Sequence, residues 1–420
     1  MTPFDEVLRV EGGRVLATLI RFTGDIGLAE DALQDAVLVA LQRWPETGMP
    51  RNPGAWLTTA ARNKALDRMR RESKRSSSER DAVSIAAPNL RTGSDPSNPS
   101  DTWDAFDSSM IRDDQLRLLF TCCHPALAPD ARVALALRTI CRLSTAEIAR
   151  VHLVAESTIG QRISRAKRKI AVAGIPYRIP EDHELPDRLS AVLVTVYAVF
   201  VAGHHSPVGQ LDARTDLADE GVRLARLLVA LMPDEPECIG LLALVLATHA
   251  RRCARLGSDG ELVLMENQDR SRWHHDEIAE AASLVERVLP RRRIGPYQLQ
   301  AAISCLHGLA PDFDRTDWKQ IAELYSMLEV VQPSAVVRVN RAVAVSYASS
   351  PAAGLAMLDT IEESHVAQWH LYWSTKAAFL ARVGKPSLAV QAFDRALACE
   401  MNDSDRRFLV SRREELAAPE

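Results

Sequence analysis

The sequence predicts an all-α fold, with two small helical domains, the second carrying a helix-turn-helix, followed by an α-helical repeat region. Three observations predict it. Hydrophobic residues make up 47% of the 420 positions but aromatic residues only 5%, the profile of a helical chain rich in Ala and Leu. Apolar side chains recur at helical spacing in one stretch after another. Charge is segregated along a chain too long for one ordinary domain. The overall −4 conceals +2 over residues 1–75, −4 over 76–110, +6 over 111–175 and −8 over 176–420. The basic excess lies in 51–75 and 111–175, which suggests two polyanion-binding faces.

Other bulk features narrow the class. The seven cysteines are odd in number and scattered, which fits buried thiols in a reducing cytosol better than a disulfide framework. No uncharged apolar run of membrane-spanning length and no signal-peptide pattern stands out. A soluble, cytoplasmic protein with no membrane partner is expected.

The first clear element is LAEDALQDAVLVALQRW, residues 28–44. Leu33, Val37, Ala40, Leu41 and Trp44 form the expected core stripe. Asp31, Gln34, Asp35 and Leu38 share a second face, at i, i+3, i+4 and i+7. Acids mixed with a leucine suit a basic partner surface around an apolar pocket, although an ordinary solvated face has a similar composition. PETGMPRNPG (45–54) reads as a stiff, non-helical loop. It leads into AWLTTAARNKALDRMRRESKR (55–75), expected to be helical. There Trp56, Thr59, Arg62 and Asn63 lie near one another, and Arg68, Arg70, Arg71, Lys74 and Arg75 extend a basic end. An aromatic, an amide and several cations beside a rigid loop suit an unstacked single strand. Trp56 taken alone is equally a core residue.

In LSTAEIARVHLVAESTIGQRISRAKRKI (143–170), Ser144 and Glu147 form a capping box that starts a short helix at Thr145. Ile148 and Val151 point inward in that helix, and 152–155 form the turn. A second helix from about Ser157 to Ile170 carries Ile159, Ile163, Ala166 and Ile170 as one apolar stripe. The pattern is a helix-turn-helix whose second helix enters the major groove. Thr158, Gln161 and Arg165 face base edges, with Arg165 suited to guanine and Gln161 to adenine. Arg162, Lys167, Arg168 and Lys169 suit phosphate contacts. A solvated basic helix would show the same charge run, but not the capped partner helix and turn.

Together and in this order, these segments resemble a bacterial RNA polymerase sigma factor of the extracytoplasmic-function type, within the sigma-70 superfamily. AEDALQDAVLVAL (29–41) resembles the polymerase-binding helix of region two, and NPGAWLTTAARNKALDRMRR (52–71) the helix that opens the minus-ten element. Residues 143–170 resemble the region-four helix-turn-helix that reads the minus-35 element. The resemblance implies region two over 1–75, an acidic flexible linker over 76–110 that threads the polymerase's RNA path, and region four over 111–175. It casts Asp31, Gln34, Asp35 and Leu38 as contacts to the clamp of core RNA polymerase. Arg51, Asn52, Arg62, Asn63 and Lys64 would hold the flipped minus-ten base and its neighbours, with Trp56, Thr59 and Arg68 completing that promoter-DNA surface. The 45–54 loop is more proline-rich than is usual for the family, so base preference does not carry over. Gly160, on the minus-35 face, stands where the family often has a larger residue, which would relax recognition.

Residues 176–420 continue in helical patterns. WSTKAAFLARVGKPSLAVQAFDRALA (373–398) places Trp373, Ala377, Leu380, Gly384, Ala389, Phe393 and Ala396 on the signature of a tetratricopeptide repeat. Met401 stands where that repeat often has proline. Partial matches follow Tyr325 and Pro333, and Gly221, Ala225 and Pro233. A regulatory or interaction domain of about four helix pairs, offering a concave surface to a protein or peptide, is expected. His204, His205, His274, His275 and Cys122-Cys123-His124 lack metal-ligand spacing. With no phosphate loop or nucleophile elbow, neither enzymatic activity, cofactor nor metal is expected. Two other readings stay open: a signal-responsive DNA-binding scaffold acting without polymerase, and a tail with hydrolase activity.

Overall fold

A computed structural model describes residues 3–79, 108–152, 154–181, 183–204, 211–255, 257, 263–401 and 403–417. Among these residues the chain forms eighteen α-helices and no strand, as the composition predicts. It divides into two units, Met1–Ala198 and Val199–Glu420. The acidic linker falls largely on 80–107, outside the described residues.

Unit 1 begins with α1 (Pro3–Thr23), α2 (Ile26–Thr47) and α3 (Pro53–Glu79), which pack on one another. Asp25 starts α2 by accepting the Leu28 amide at 2.8 Å. Alanines 29, 32, 36 and 40 on α2 and 61 and 65 on α3 are all fully buried, which lets the helices approach closely around Leu33 and Leu57. The expected core stripe needs one correction. Leu41 is 49% exposed, because the buried stripe follows Ala29, Leu33, Ala36, Ala40 and Trp44 and leaves position 41 a further 100° round the helix. The loop expected from residue 45 starts later, since Pro45 lies inside the last turn of α2. The carbonyl that loses its partner to Pro45 belongs to Leu41, on the exposed side. Gly48, at φ +80°, ends the helix by donating to the Trp44 carbonyl.

The rest of unit 1 is α4 (Ser108–Cys122), α5 (Pro129–Thr139), α6 (Thr145–His152), α7 (Glu156–Val172) and the start of α8 (Leu185–His204). The capping box closes as predicted: Ser144 Oγ accepts the Glu147 amide at 3.2 Å, and Glu147 accepts the Ser144 amide at 2.6 Å. Ile148 is buried; the Val151 side chain lies outside the described residues. Ile159, Ile163, Ala166 and Ile170 are the buried stripe of α7, and each isoleucine contributes about 1.5–3 kcal/mol. Cys122 and Cys123 are buried thiols.

α8 is the longest apolar stretch that bears on the expectation about membrane-spanning runs among the described residues. Leu185–Gly203 is long and apolar enough to cross a membrane by length and composition. Half of that stretch is buried, and Asp187 and Arg188 sit at its start, so a core helix accounts for it.

Unit 2 continues with α9 (Leu211–Leu231), α10 (Pro236–His249), α11 (His275–Val288), α12 (Pro296–Leu309), α13 (Trp318–Val331), α14 (Ala335–Ala348), α15 (Pro351–Leu358), α16 (His370–Arg382), α17 (Pro386–Leu397) and α18 (Asp403–Ala417). Successive helices pack as neighbours. α10 buries every residue but Glu237 and Thr248, because α9, α11 and α12 surround it. Two glycines permit close crossings. A Cβ on Gly221 would lie 2.6 Å from Phe200 Cα, and one on Gly240 would lie 2.7 Å from the Gln298 amide nitrogen. α16 and α17 form a hairpin through Gly384 (φ +74°), and Trp373, Ala377, Leu380, Ala389, Phe393 and Ala396 share its core.

The surprise of unit 2 is a charged knot in that apolar setting. His249, 3% exposed, bonds Asp219 on α9 through Nε2 (2.9 Å) and Glu277 on α11 through Nδ1 (2.9 Å). Arg252 lies 3.5 Å from the same Glu277. Burial alone would lower the His249 pKa, but the two carboxylate bonds and the Glu277 charge outweigh it and hold the value above the ordinary 6.5. The folded chain therefore grips this proton more tightly than the unfolded chain does. The resulting stabilisation is complete below the unfolded-state value and is lost as pH rises through the folded one. Thermal unfolding between about pH 6 and pH 8.5 should show a midpoint that falls as pH rises, and His249→Gln should flatten that slope. Gly221→Val should lower stability by about 1–3 kcal/mol through overpacking against Phe200, read by urea denaturation.

Candidate polymerase and promoter interfaces

On α2, Asp31, Gln34 and Leu38 are exposed and Asp35 is half-buried, so the predicted second face exists. Leu38 is 58% exposed, and Leu41 one turn on joins it. Arg68 of α3 grips both acids of this face. Its Nη1 donates to Asp31 at 2.5 Å and its Nη2 to Asp35 at 2.9 Å. One guanidinium thus links a predicted polymerase contact to a predicted minus-ten contact.

The remaining minus-ten residues divide into free and committed groups. Arg51, Asn52 and Asn63 are exposed, while Trp56, Thr59, Arg62 and Lys64 are half-buried. The Asn52 side chain accepts the Ala55 amide at 3.0 Å, so it caps α3 and fixes where the helix leaves the loop. Trp56 stands edge-on to Trp44 at 5.5 Å, and Trp44 edge-on to Phe4 at 5.3 Å. Trp56 is therefore one side of an aromatic row. Thr59 bonds back to the Ala55 carbonyl. Arg62 lies over the Phe22 ring at 4.9 Å.

On α7, Gln161, Arg165, Arg168 and Lys169 are exposed, and Thr158, Gly160, Arg162 and Lys167 are half-buried. Nothing lies within 4 Å of a Cβ built on Gly160, so its small size serves no packing need. Arg162 approaches Asp130 at 3.6 Å, and Lys169 donates to the Ala126 carbonyl. Lys167 donates to Glu30 of α2 at 2.5 Å. The other Glu30 oxygen, Oε1, is buried with no donor in reach.

Sequence reasoning missed the groups that join the two halves of unit 1. Asp114 of α4, 1% exposed, accepts from Arg21 of α1 at 2.9 Å and from Arg117 at 2.7 Å. Tyr177 donates to the Ala17 carbonyl at 2.8 Å, and burial pushes its phenol pKa up. Arg188 donates to the Phe120 carbonyl at 3.1 Å. A Cβ on Gly13 would lie 2.8 Å from the Ile140 carbonyl oxygen. Two signals could have found this seam. Glu30 falls on the apolar stripe of α2, and the Gly12-Gly13 pair sits mid-helix, where glycine costs about 1 kcal/mol unless something approaches closely.

The histidine-rich stretch makes local contacts. His274 precedes α11 and lies 3.5 Å from Cys253 Sγ, while His275 donates to the Arg270 carbonyl. Among the described residues no group of three or more His, Cys, Asp or Glu is arranged to hold a metal. His205 lies outside the described residues.

Comparison with known proteins matches this architecture segment by segment. Residues 9–75, which carry α1–α3, match Sigma-70 region 2. Residues 117–170, ending within α7, match Sigma-70, region 4. Residues 188–289 match a family of unknown function, DUF6596. The chain is 41% identical over 405 residues to an uncharacterized protein of Rhizobium meliloti (strain 1021), covering 96% of this chain and 94% of that protein. It is 28% identical over 186 residues to the ECF RNA polymerase sigma factor SigJ of Mycobacterium tuberculosis (strain ATCC 25618 / H37Rv), covering 43% of this chain and about half (54%) of SigJ. No solved structure matches the chain. With both sigma regions matched in order on the helices that carry the two predicted interfaces, the chain belongs to the sigma-70 family, in its extracytoplasmic-function branch.

Proposed function

We propose that this sigma factor seats α2 on the clamp of core RNA polymerase, opens the minus-ten element with the 48–52 loop and α3, and reads the minus-35 element with α7. In the same proposal the boundaries are 1–75, 76–110, 111–175 and 176–420, and the work is done in the cytoplasm. The C-terminal region, a tetratricopeptide-like array with its own protein or peptide partner, modulates the output.

One observation carries the polymerase part. Leu38 and Leu41 stand exposed in an acid-rimmed patch with Asp31, Gln34 and Asp35. A helix that only closes a core has no need of two exposed leucines one turn apart, and an apolar patch with a polar rim marks a partner surface. A scaffold that binds DNA without polymerase gives no reason for it.

Run-off transcription with purified bacterial core polymerase and a pool of promoter fragments tests this reading. Leu38→Asp should cut the yield by about tenfold or more while binding to duplex DNA is kept. Asp35→Arg should act the same way. Equal yields from the variants and the parent would remove the clamp assignment. Yields of zero throughout, with duplex binding intact, would favour the scaffold.

The minus-35 assignment predicts two kinds of loss. Arg165→Ala should relax preference at one base pair, at a cost of about 1–3 kcal/mol. Arg168→Ala should weaken all sequences alike and lower the salt slope by about one. Competition binding against single-base operator variants at two salt concentrations separates them. A chain ending at His204 keeps Tyr177 and Arg188, which hold unit 1 together. Its yield against the full chain gives the sign of the modulation, higher for an inhibitory C-terminal region and lower for a required one.

A further inference from the structure

Beyond α10 the backbone turns through Arg251, Arg252 and Arg255 and returns through a short turn at Arg270–Arg272 to Trp273. Trp273 is 4% exposed and packs with Ala250, Ala254 and Ile278. Two guanidiniums lie against its ring, Arg251 at 5.7 Å and Arg270 at 4.5 Å from the centroid. His307, near the end of α12, is adjacent, since Arg270 Nη1 donates to the His307 carbonyl at 2.8 Å and to the Ala310 carbonyl at 2.6 Å.

The four side chains share one peculiarity. Arg251 Nη1, Arg270 Nη2, Trp273 Nε1 and His307 Nδ1 are all buried, and among the described residues none has a hydrogen-bond partner. A buried polar atom in that state costs about 1–3 kcal/mol, more when it is charged. Four of them around one turn, two on guanidiniums against the Trp273 ring and one on a histidine that both guanidiniums influence, do not follow from folding economy. The charges compound the problem. Burial, then the neighbouring Arg255 and Arg270, push the Arg251 pKa down to about 10. Burial, then Arg251 and Arg270, push His307 down to about 4.

Among the described residues, the acids that act on these arginines offset the charge only in part. Asp312 faces Arg270 but is held by Arg315, whose Nε donates to it at 2.6 Å. Asp405 faces Arg255. Buried like charges persist where a counter-charge is bound. Flat guanidiniums with indole and imidazole N–H donors match the oxygens of a carboxylate or phosphate.

We propose that Arg251, Arg270, Trp273 and His307 form a binding site for the oxyanion of a small ligand, a carboxylate or a phosphate, in the C-terminal unit. It stands apart from the promoter reading, because binding is measured without polymerase or DNA. The bound anion would tie the turn after α10 to α12, and so give unit 2 a ligand-dependent stability.

Thermal unfolding of the full chain in sodium phosphate, sodium acetate and sodium chloride at matched ionic strength provides the test, with calorimetric titration of the same anions into the wild-type protein. Phosphate or acetate should raise the midpoint above that in chloride, and whichever does so names the chemistry. Arg251→Met keeps the bulk and removes the buried charge. It should raise the midpoint in chloride and weaken anion binding about tenfold or more. Equal midpoints in all three salts with no heat of binding would overturn the proposal. So would an Arg251→Met protein that binds the anion as tightly as the parent. If Arg251→Met fails to fold, the wild-type titration alone decides.

Discussion

Unit 1 depends on its most deeply buried carboxylate among the described residues. Asp114 is almost wholly removed from water, and an isolated ion so placed would cost several kcal/mol. Arg21 and Arg117 offset that cost, one from the first helix and one from its own. Because Arg21 sits on α1, the neutralised carboxylate welds the region-2 helices to the region-4 helices. Other seam contacts lie along the same joint. Gly13 can meet the Ile140 carbonyl only at this spacing, and Tyr177 can reach the Ala17 carbonyl only with α1 and α4 side by side.

Much of the fold was legible because local rules and tertiary packing agreed. The stripe Ile159, Ile163, Ala166, Ile170 and the box of Ser144 with Glu147 were read from spacing alone. Reading failed where an apolar or turn-forming residue type did not match its place on the helix. Leu41 matched an apolar template but belongs to an exposed face, and Pro45 looked like a loop but closes a helix whose orphaned carbonyl is on the exposed side. The proposed interfaces rest on residue types read from the sequence. Their wiring was not legible there, since nothing local says that Arg68 reaches two acids thirty-odd positions away or that Lys167 reaches Glu30.

The C-terminal unit shows two histidines whose pKa values move in opposite directions. Burial lowers both, but at His249 the Asp219 and Glu277 carboxylates outweigh it. At His307 burial acts unopposed, and the Arg251 and Arg270 guanidiniums add to it. Adjacent histidines at 274 and 275 draw the eye in this part of the sequence; the proposed anion site uses Arg270 and Trp273 instead.

The bond between Lys167 and Glu30 has a consequence for how tightly such a chain would hold DNA. In the reading proposed above, a phosphate that takes Lys167 must displace a carboxylate already there, and the released Glu30 then gathers a cation from solution. The usual gain from counterion release is thereby cancelled at that one position. The chain would discard fewer ions on binding than its count of basic side chains implies. Its grip on arbitrary stretches of duplex, which rests almost wholly on that ionic gain, would be correspondingly loose, leaving more of it free to meet polymerase first.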